Sequence, residues 1–443
     1  MNCARVVITG LGAVSPLGLS ATDTWSGLCE GRCGIKPITA FDPIGFACKL
    51  AGQVPDYRIQ DYVAKQFRKA TKLMSRDIEL AVIAANEAVK DSGLITRAID
   101  ADRERNASNV VNPTRMAINL GAGLISCDLP EIAPAVAKSV TEGKFDMHKW
   151  GKEGIESVTP LWLLKYLPNM LACHIGIIHD IQGPSNTITC AESSAYIAIA
   201  EAAQVISRGD SDIALAGGAE AKVNPILIMR QILLGRATTK SNDRPENACR
   251  PFDADAAGAV FGEGAGIIVL ESQENARNRS VRIFAEVAGT GQSASINRAY
   301  EHIEPDGLGI TIAIEKALAQ ASISPKDIDL IIPHGTGIPQ DDLAEAKGIE
   351  KVLGKETKRI PVWPTKSMLG NTGAACGGLD IIAAVCAMRD GVIPAAKNCE
   401  RKANGCNLNI VTQQQKRNIR NMLCCSYTYG GQTAAVVIKN VEH

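Results

Sequence analysis

The chain has 443 residues, of which 46% are hydrophobic, 21% are charged and 4% are aromatic. Its 47 Lys and Arg residues balance 47 Asp and Glu residues, so no net charge attracts it to nucleic acid or to an anionic membrane. No apolar run reaches the roughly 18 residues of a membrane span. At about 100 to 200 residues per domain, the length predicts two domains or one large duplicated domain.

The 14 cysteines show no spacing that is typical of a metal site. Cys29 and Cys33, for example, are separated by three residues and have no histidine nearby. The first residues look like a strand and a turn rather than an export signal, so we expect a cytoplasmic chain with reduced thiols. No metal and no cofactor are expected.

Short apolar runs bounded by glycine alternate with long Ala-rich segments of helical period, which is typical of an α/β protein. Strands are predicted at residues 6–9, 116–120, 187–190, 213–216, 266–270, 283–288, 328–333 and 434–439. Helices are predicted at residues 78–92, 193–208, 309–321, 343–353 and 379–389. Residues 94–115 and 128–180 look like insertions on the sheet scaffold.

One pattern occurs twice along the chain. Glu192 begins an Ala-rich helix that ends near Gly209, and the Gly/Ala segment after Asn371 begins another that ends near Gly391. A strand, a small-residue turn and a buried helix therefore recur once per half, which we assign to residues 1–272 and 273–443. We expect the two units to pack about a pseudo-twofold axis, with their helix N-termini converging on one site.

Four segments place polar groups among small residues where a strand passes into a turn or a helix, at residues 183–194, 334–337, 366–371 and 426–431. In this order and spacing they resemble the β-ketoacyl-acyl carrier protein synthase II family. The resemblance implies a thiolase-like duplicated α/β fold, with layers in the order α-β-α-β-α and mixed sheets. Members of that family condense an acyl group, held on a cysteine, with malonyl carried on an acyl carrier protein, and release carbon dioxide.

The family nucleophile is a cysteine at the N-terminus of a buried helix, where the helix dipole favours the thiolate. Counted forward from Ser185 and back from Gly209, the matching position is Glu192, and Cys190 lies two residues earlier on the predicted strand. Acylation of a carboxylate gives a mixed anhydride rather than a stable thioester, so we expect Glu192 to carry no acyl chain. The alternative is that Glu192 only caps the helix and Cys190 reacts through a shifted turn.

Three further residues match catalytic positions of the family. His334 matches the first histidine, which polarises the malonyl thioester carbonyl, with a structural histidine as the alternative. Lys366 matches the lysine that organises the charges of the site and has Glu345 or Glu192 as candidate partners, with a solvated lysine as the alternative. Asn371 occupies the position of the second histidine. Its amide donates a hydrogen bond but does not titrate near pH 7.

The expected substrate-binding residues are Thr336, Tyr427, Tyr429 and Gly430. Thr336 matches one of two threonines that bind phosphopantetheine in the family. Tyr429 matches the gatekeeper of a flexible loop, in which Thr428 replaces a glycine, so we expect the loop to open less easily.

The resemblance also implies partners. The basic residues Lys65, Arg68 and Lys69 match the patch on which the family docks its acyl carrier protein, with a solvated helix end as the alternative. Strand 187–190 matches the strand through which family dimers join their sheets.

A scaffold without its nucleophile resembles the chain length factor subunits of type II polyketide and polyene synthases. Those subunits pair with an active ketosynthase and shape the pocket that limits the growing chain. We therefore expect a noncondensing partner, in a heterodimer with a ketosynthase paralogue or in a homodimer, that meets acyl carrier protein with its phosphopantetheine-linked acyl chain. The rival hypotheses are a malonyl-carrier decarboxylase that uses His334 and Asn371, and a condensing enzyme that uses Cys190.

Overall fold

The computed structural model describes residues 4–99, 109–295, 297 and 302–441. The β-strands are Val6–Val14 (β1), Ile35–Pro37 (β2), Leu50–Gly52 (β3), Met116–Ala122 (β4), Val140–Thr141 (β5), Lys144–Phe145 (β6), Ser185–Ile188 (β7), Ile213–Ala221 (β8), Glu263–Ser272 (β9), Ala285–Ala294 (β10), Leu330–Ile332 (β11), Pro361–Val362 (β12), Val392–Ile393 (β13), Asn409–Ile410 (β14), Gln415–Lys416 (β15), Asn421–Tyr427 (β16) and Gln432–Lys439 (β17). The α-helices are Ala21–Cys29 (α1), Arg76–Asp91 (α2), Leu129–Lys138 (α3), Met147–Lys149 (α4), Met170–His179 (α5), Ser194–Ser207 (α6), Pro225–Leu233 (α7), Gln273–Asn278 (α8), Leu308–Ala321 (α9), Pro339–Leu353 (α10), Lys366–Leu369 (α11) and Cys376–Asp390 (α12).

Eleven of these strands form one mixed sheet in the order β14-β12-β11-β16-β17-β10-β1-β9-β8-β4-β7. In one half, β1, β9 and β8 pair antiparallel and β8, β4 and β7 pair parallel. In the other, β10, β17 and β16 pair antiparallel and β16, β11 and β12 pair parallel. The same strand order therefore occurs twice, and a short antiparallel pairing of β1 with β10 joins the two copies.

Helices cover this sheet in layers. Helix α2 packs on β1, β8 and β9, and α9 packs on β10 and β17. Helices α6 and α12 contact strands of both halves and each other, so they lie between the halves. This arrangement confirms the predicted thiolase-like α/β fold.

The two central helices begin beside each other. A 3-10 turn at Ala191–Ser193 leads into α6, another at Gly373–Ala375 leads into α12, and the two turns are in contact. A small residue permits this close packing, since a Cβ on Gly377 of α12 would lie 2.7 Å from Cδ2 of Tyr196 in α6. The predicted convergence of the two helix N-termini is therefore confirmed.

Among the differences from the sequence prediction, three concern elements near the two central helices. The strand expected at 187–190 is Ser185–Ile188, so Cys190 lies beyond the strand, at the beginning of the turn. Strand β16 was not predicted, although it pairs with β11 and β17. Helix α10 begins at Pro339 rather than at 343, because proline suits the first turn of a helix.

The predicted insertion 128–180 has secondary structure of its own, with helices α3, α4 and α5 and the β5–β6 hairpin. Of the other predicted insertion, 94–115, residues 100–108 lie outside the described residues. Within the described ranges, no helix combines the length and the hydropathy needed to cross a bilayer.

Candidate functional site

Glu192 lies in the tight turn between β7 and α6, which we call the elbow (residues 189–194). Ala191 has a φ of +44°, an uncommon conformation for a residue with a Cβ, and it makes the chain reverse sharply. The turn is fixed on both sides, because the Cys190 N–H donates to Ser194 Oγ at 2.8 Å and Ser193 Oγ donates to the Gln432 carbonyl at 2.9 Å. The side chain of Glu192 is buried.

One cation and one amide hold the Glu192 carboxylate. Lys222 Nζ lies 2.9 Å from Glu192 Oε1, and Asn371 Nδ2 donates to the same oxygen at 3.3 Å. Lys222 follows directly after β8, and its Nζ also lies 3.8 Å from Glu220 Oε2. Glu220 in turn accepts a hydrogen bond from the Ala374 N–H at 2.7 Å. A carboxylate, an ammonium and a second carboxylate thus meet where the two central helices begin.

The charges of this cluster follow from burial and pairing. Burial alone would raise the pKa of Glu192, but the charges of Lys222 and Arg236 and the hydrogen bond from Lys222 hold it below its usual value. Burial would lower the pKa of Lys222, but Glu192 and Glu220 raise it above its usual value. Burial raises the pKa of Glu220 even though Lys222 opposes the change. Glu192 and Lys222 therefore form an ionised pair at neutral pH.

His334 lies in the loop after β11 and is also buried. Its Nδ1 lies 3.2 Å from Ser426 Oγ, and Ser426 Oγ donates to the backbone carbonyl of Glu192 at 3.1 Å. The ring of Tyr427 meets the imidazole edge to face, with 4.7 Å between ring centroids. Burial and the charge of Lys366 lower the pKa of His334 well below its usual value, so the ring is neutral.

Lys366 has a partner that the sequence did not predict. Its Nζ lies 3.2 Å from Asp380 Oδ2, so the expected pairing with Glu345 or Glu192 was wrong. The reason is geometric, since Asp380 of α12 is directed at the beginning of the short helix α11, where it also accepts from Thr365 Oγ1 at 2.5 Å. Glu345 instead accepts the backbone N–H groups of His334 and Gly335, and burial raises its pKa to about 8.

Asn371 is hydrogen-bonded through both ends of its amide. Its Oδ1 accepts from the Gly373 N–H at 3.0 Å and from Cys376 Sγ at 3.4 Å, while Nδ2 donates to Glu192. The four predicted catalytic positions thus form one buried cluster, in which Asn371 contacts Glu192 directly and Ser426 bridges Glu192 to His334. Sequence reasoning missed Lys222, although a lysine directly after a strand of small buried residues was a signal.

A cavity of about 300 Å³ opens in front of the elbow. Polar side chains and several apolar ones line it; the polar ones are Thr189, Glu192, Glu220, Lys222, Arg230, Gln231 and Tyr429. Among the described residues, Cys190 is not part of this lining. Burial raises the pKa of the Cys190 thiol, so it is protonated at neutral pH.

Tyr429 closes one side of the cavity and is held by two arginines. Arg230 Nη2 donates to the Tyr429 hydroxyl at 3.2 Å, and the guanidinium of Arg236 stacks 4.7 Å from the centroid of the ring. In the same loop, Thr428 Oγ1 accepts from the Gly430 N–H at 3.0 Å. These contacts constrain the loop in its present position.

Comparison with protein families gives the identity of the scaffold. Residues 4–276 match the family model for the β-ketoacyl synthase N-terminal domain, and residues 284–400 match that for the C-terminal domain. The chain belongs to the β-ketoacyl synthase family. It is 32% identical over 446 residues to 3-oxoacyl-[acyl-carrier-protein] synthase 2 of Vibrio harveyi, which covers 100% of both chains. It is 33% identical over 443 residues to the enzyme of the same name from Staphylococcus aureus, which covers 99% of both.

Solved structures of synthases agree with this family. The ishigamide ketosynthase/chain length factor has a TM-score of 0.83 and 29% identity, over 99% of this chain and 100% of that one. A type II polyketide acyl-carrier protein in complex with its ketosynthase contains a chain with a TM-score of 0.81 and 25% identity, over 99% of this chain and 100% of that one. A β-ketoacyl synthase from Burkholderia phymatum has a TM-score of 0.84 at 25% identity, with the same coverage.

The predicted substrate-binding and carrier-docking residues of this β-ketoacyl synthase homologue differ in their burial. Thr336 is buried, and its hydroxyl donates to Asp342 Oδ1 at 3.1 Å. Tyr427 is buried against His334, whereas Gly430 is exposed. The three basic residues of the predicted docking patch, Lys65, Arg68 and Lys69, are exposed at a 3-10 turn that the buried Phe67 anchors. The substrate and carrier roles of these residues stay predictions.

Proposed function

We propose that this chain is a noncondensing β-ketoacyl synthase homologue that serves as the partner subunit of an active ketosynthase, in the manner of a chain length factor. The observation that carries the proposal is the ion pair at the elbow. Glu192 occupies the turn at the N-terminus of α6, lines the cavity, and is held there as an anion by Lys222. A condensing enzyme needs a thiolate at that point.

Two cysteines at or near the elbow, Cys190 and Cys376, are poorly suited to replace that thiolate. Cys190 lies outside the cavity lining, and burial raises its pKa. Cys376 is close to Asn371 but is buried, and burial raises its pKa as well. Both thiols are therefore protonated at neutral pH, and the protonated form is a poor nucleophile.

The decarboxylase hypothesis has less support from the same geometry. Decarboxylation of a malonyl thioester forms an enolate, which needs hydrogen-bond donors aimed at its oxygen. One N–H of Asn371 is already committed to Glu192, and the ionised Glu192 would repel a neighbouring enolate. We therefore assign the chain a role in forming the pocket and the interface.

The exposed edge of the sheet supports a role in assembly. Strand β7 ends the sheet next to β4, where the side chains of Ser185 and Asn186 are exposed and that of Thr187 is half-buried. Thr187 N–H bonds to the neighbouring Asn186 side chain at 2.8 Å rather than to a strand. An edge of this kind is available to pair with the equivalent strand of a partner subunit.

Co-expression with a ketosynthase paralogue that retains Cys, His and His tests the proposal. We expect the two chains to co-purify as a stable heterodimer through an affinity tag on either one. Thr187→Pro should weaken this assembly, because proline removes an outward-facing edge N–H while the pairing of β7 with β4 remains. A chain that forms a homodimer and binds none of these ketosynthases would contradict the proposal. Carbon dioxide release from malonyl-acyl carrier protein that is lost in His334→Ala would instead favour the decarboxylase.

A further inference from the structure

Lys222 stands between two glutamates and an aromatic ring. Its ammonium lies 2.9 Å from Glu192 and 3.8 Å from Glu220, and 5.3 Å from the centroid of the Phe261 ring. The side chain of Lys222 is 6% exposed and that of Glu192 is 7% exposed, so water screens this pair little. Anions and a π face on several sides make this a cation site built by the fold.

The backbone around Lys222 is fitted to that side chain. Its N–H donates to the Gly262 carbonyl at 3.3 Å, next to the buried strand β9. Gly373, with a φ of +61°, begins the turn that closes over the pair. A Cβ on Gly373 would lie 2.5 Å from Lys222 Cε and 1.9 Å from Glu220 Oε2. Glycine at 373 is therefore required both by the conformation and by the space that the pair occupies.

We propose that Lys222 is the positioning residue of the elbow, which holds the side chain at position 192 as an anion directed at Asn371. Lys222 acts through Glu192, since it fixes the carboxylate oxygen to which Asn371 Nδ2 donates. The functional consequence rests on the proposed function: while Glu192 is fixed in this way, the elbow offers no nucleophile and one N–H of Asn371 is engaged, so the chain stays inactive beside its partner.

The proposal predicts that Lys222 determines the charge of whatever titratable group stands at position 192. The other charged or titratable groups that face this position are Glu220 beside Lys222, Arg236 after α7, His334 after β11 and Cys376 in α12. Lys222 is in hydrogen-bond contact with the carboxylate, with 2.9 Å between Nζ and Oε1. An opposite charge at such a distance shifts a pKa by about 1–3 units.

A thiol placed at the elbow provides the readout. The variants to compare are Glu192→Cys, Glu192→Cys with Lys222→Met, and Glu192→Cys with Lys222→Arg. Each is treated with iodoacetamide over a range of pH, and peptide mapping follows alkylation at position 192 separately from the native cysteines. The combination of Glu192→Cys with the exposed Lys240→Met is the matched control.

We expect Lys222→Met to raise the apparent pKa of the engineered thiol by at least about one unit, and to slow its alkylation about tenfold at neutral pH. Lys222→Arg should restore the profile, and Lys240→Met should leave it unchanged. Identical pH profiles with and without Lys222 would overturn the proposal, as would a failure of Lys222→Arg to restore the profile in a folded protein.

Two features of the design keep the test independent of folding and of the proposed function. The variant with both Glu192→Cys and Lys222→Met removes both charges of the Glu192–Lys222 pair but leaves Glu220 without its cation, so circular dichroism checks that each variant is folded before alkylation. Heterodimer formation is measured separately. If the pH profile of alkylation depends on Lys222 but the chain binds no ketosynthase, this inference stands and the partner role is refuted.

Discussion

The Glu192–Lys222–Glu220 cluster predicts an unequal response to the loss of its charges. Lys222→Met leaves two buried carboxylates without the cation that lies 2.9 and 3.8 Å from them. Breaking a buried pair in this way costs about 3–5 kcal/mol. Glu192→Gln leaves Lys222 paired with Glu220 and keeps an oxygen to accept its hydrogen bond, so we expect a cost of about 1–2 kcal/mol.

Denaturant unfolding followed by tryptophan fluorescence measures these differences, because Trp25 and Trp363 are buried in the core and in contact with each other. The double variant should cost less than the sum of the single ones, with a coupling energy of about 1–3 kcal/mol. The loss of unfolding free energy that Lys222→Met causes should become smaller as the pH falls. Without the cation, burial raises the carboxyl pKa values of the folded state, so the folded state binds more protons at low pH. Equal single costs, or costs that simply add, would refute the reasoning.

Three further predictions concern other parts of the chain. Burial lowers the pKa of His179 to about 3. The unfolded chain therefore binds a proton that the folded chain does not, and the free energy of unfolding should fall by up to about 1.4 kcal/mol per pH unit below about pH 6.5. In acid-unfolding curves, His179→Gln should reduce this dependence of stability on pH. Thr428→Gly should raise the amide hydrogen-exchange rate of the loop that carries Tyr429, because it removes the hydroxyl that accepts from the Gly430 N–H. An unchanged rate would show that the contacts of Tyr429 with Arg230 and Arg236 are sufficient to hold the loop. Reversing the charges of Lys65, Arg68 and Lys69 should weaken binding of acyl carrier protein at low salt, measured by calorimetry, whereas the same number of reversals on another exposed surface should not.

Much of the fold could be predicted from local sequence pattern. Strands β1, β4, β8 and β9 were located by apolar runs beside glycine, and α6 and α9 by Ala-rich periodicity, because both signals are local. Strand β16 was not predicted, and only its last two residues, Ser426 and Tyr427, lie in the segment 426–431 that was interpreted as a polar turn motif. Its strand character comes from pairing with β11, which is distant in the sequence, and with β17, which follows it in the chain.

In the site, too, the positions of residues could be predicted from nearby sequence, whereas their pairings with distant residues could not. The position of Glu192 followed from spacing within one segment, and the structure places that residue in the cluster. The pairing of Lys222 with Glu192 joins residues 30 positions apart, and that of Lys366 with Asp380 depends on how α11 meets α12. The left-handed conformation of Ala191 was also unexpected, because no glycine marks that position.

Covalent acyl transfer tests the central claim most directly. The purified chain is incubated with an acyl-acyl carrier protein thioester, and intact mass with peptide mapping detects any bound acyl group. We expect no adduct, because the side chain at the tip of the elbow is the carboxylate that Lys222 holds. A stable acyl adduct on Cys190 would contradict the account and show that this chain forms its own thioester.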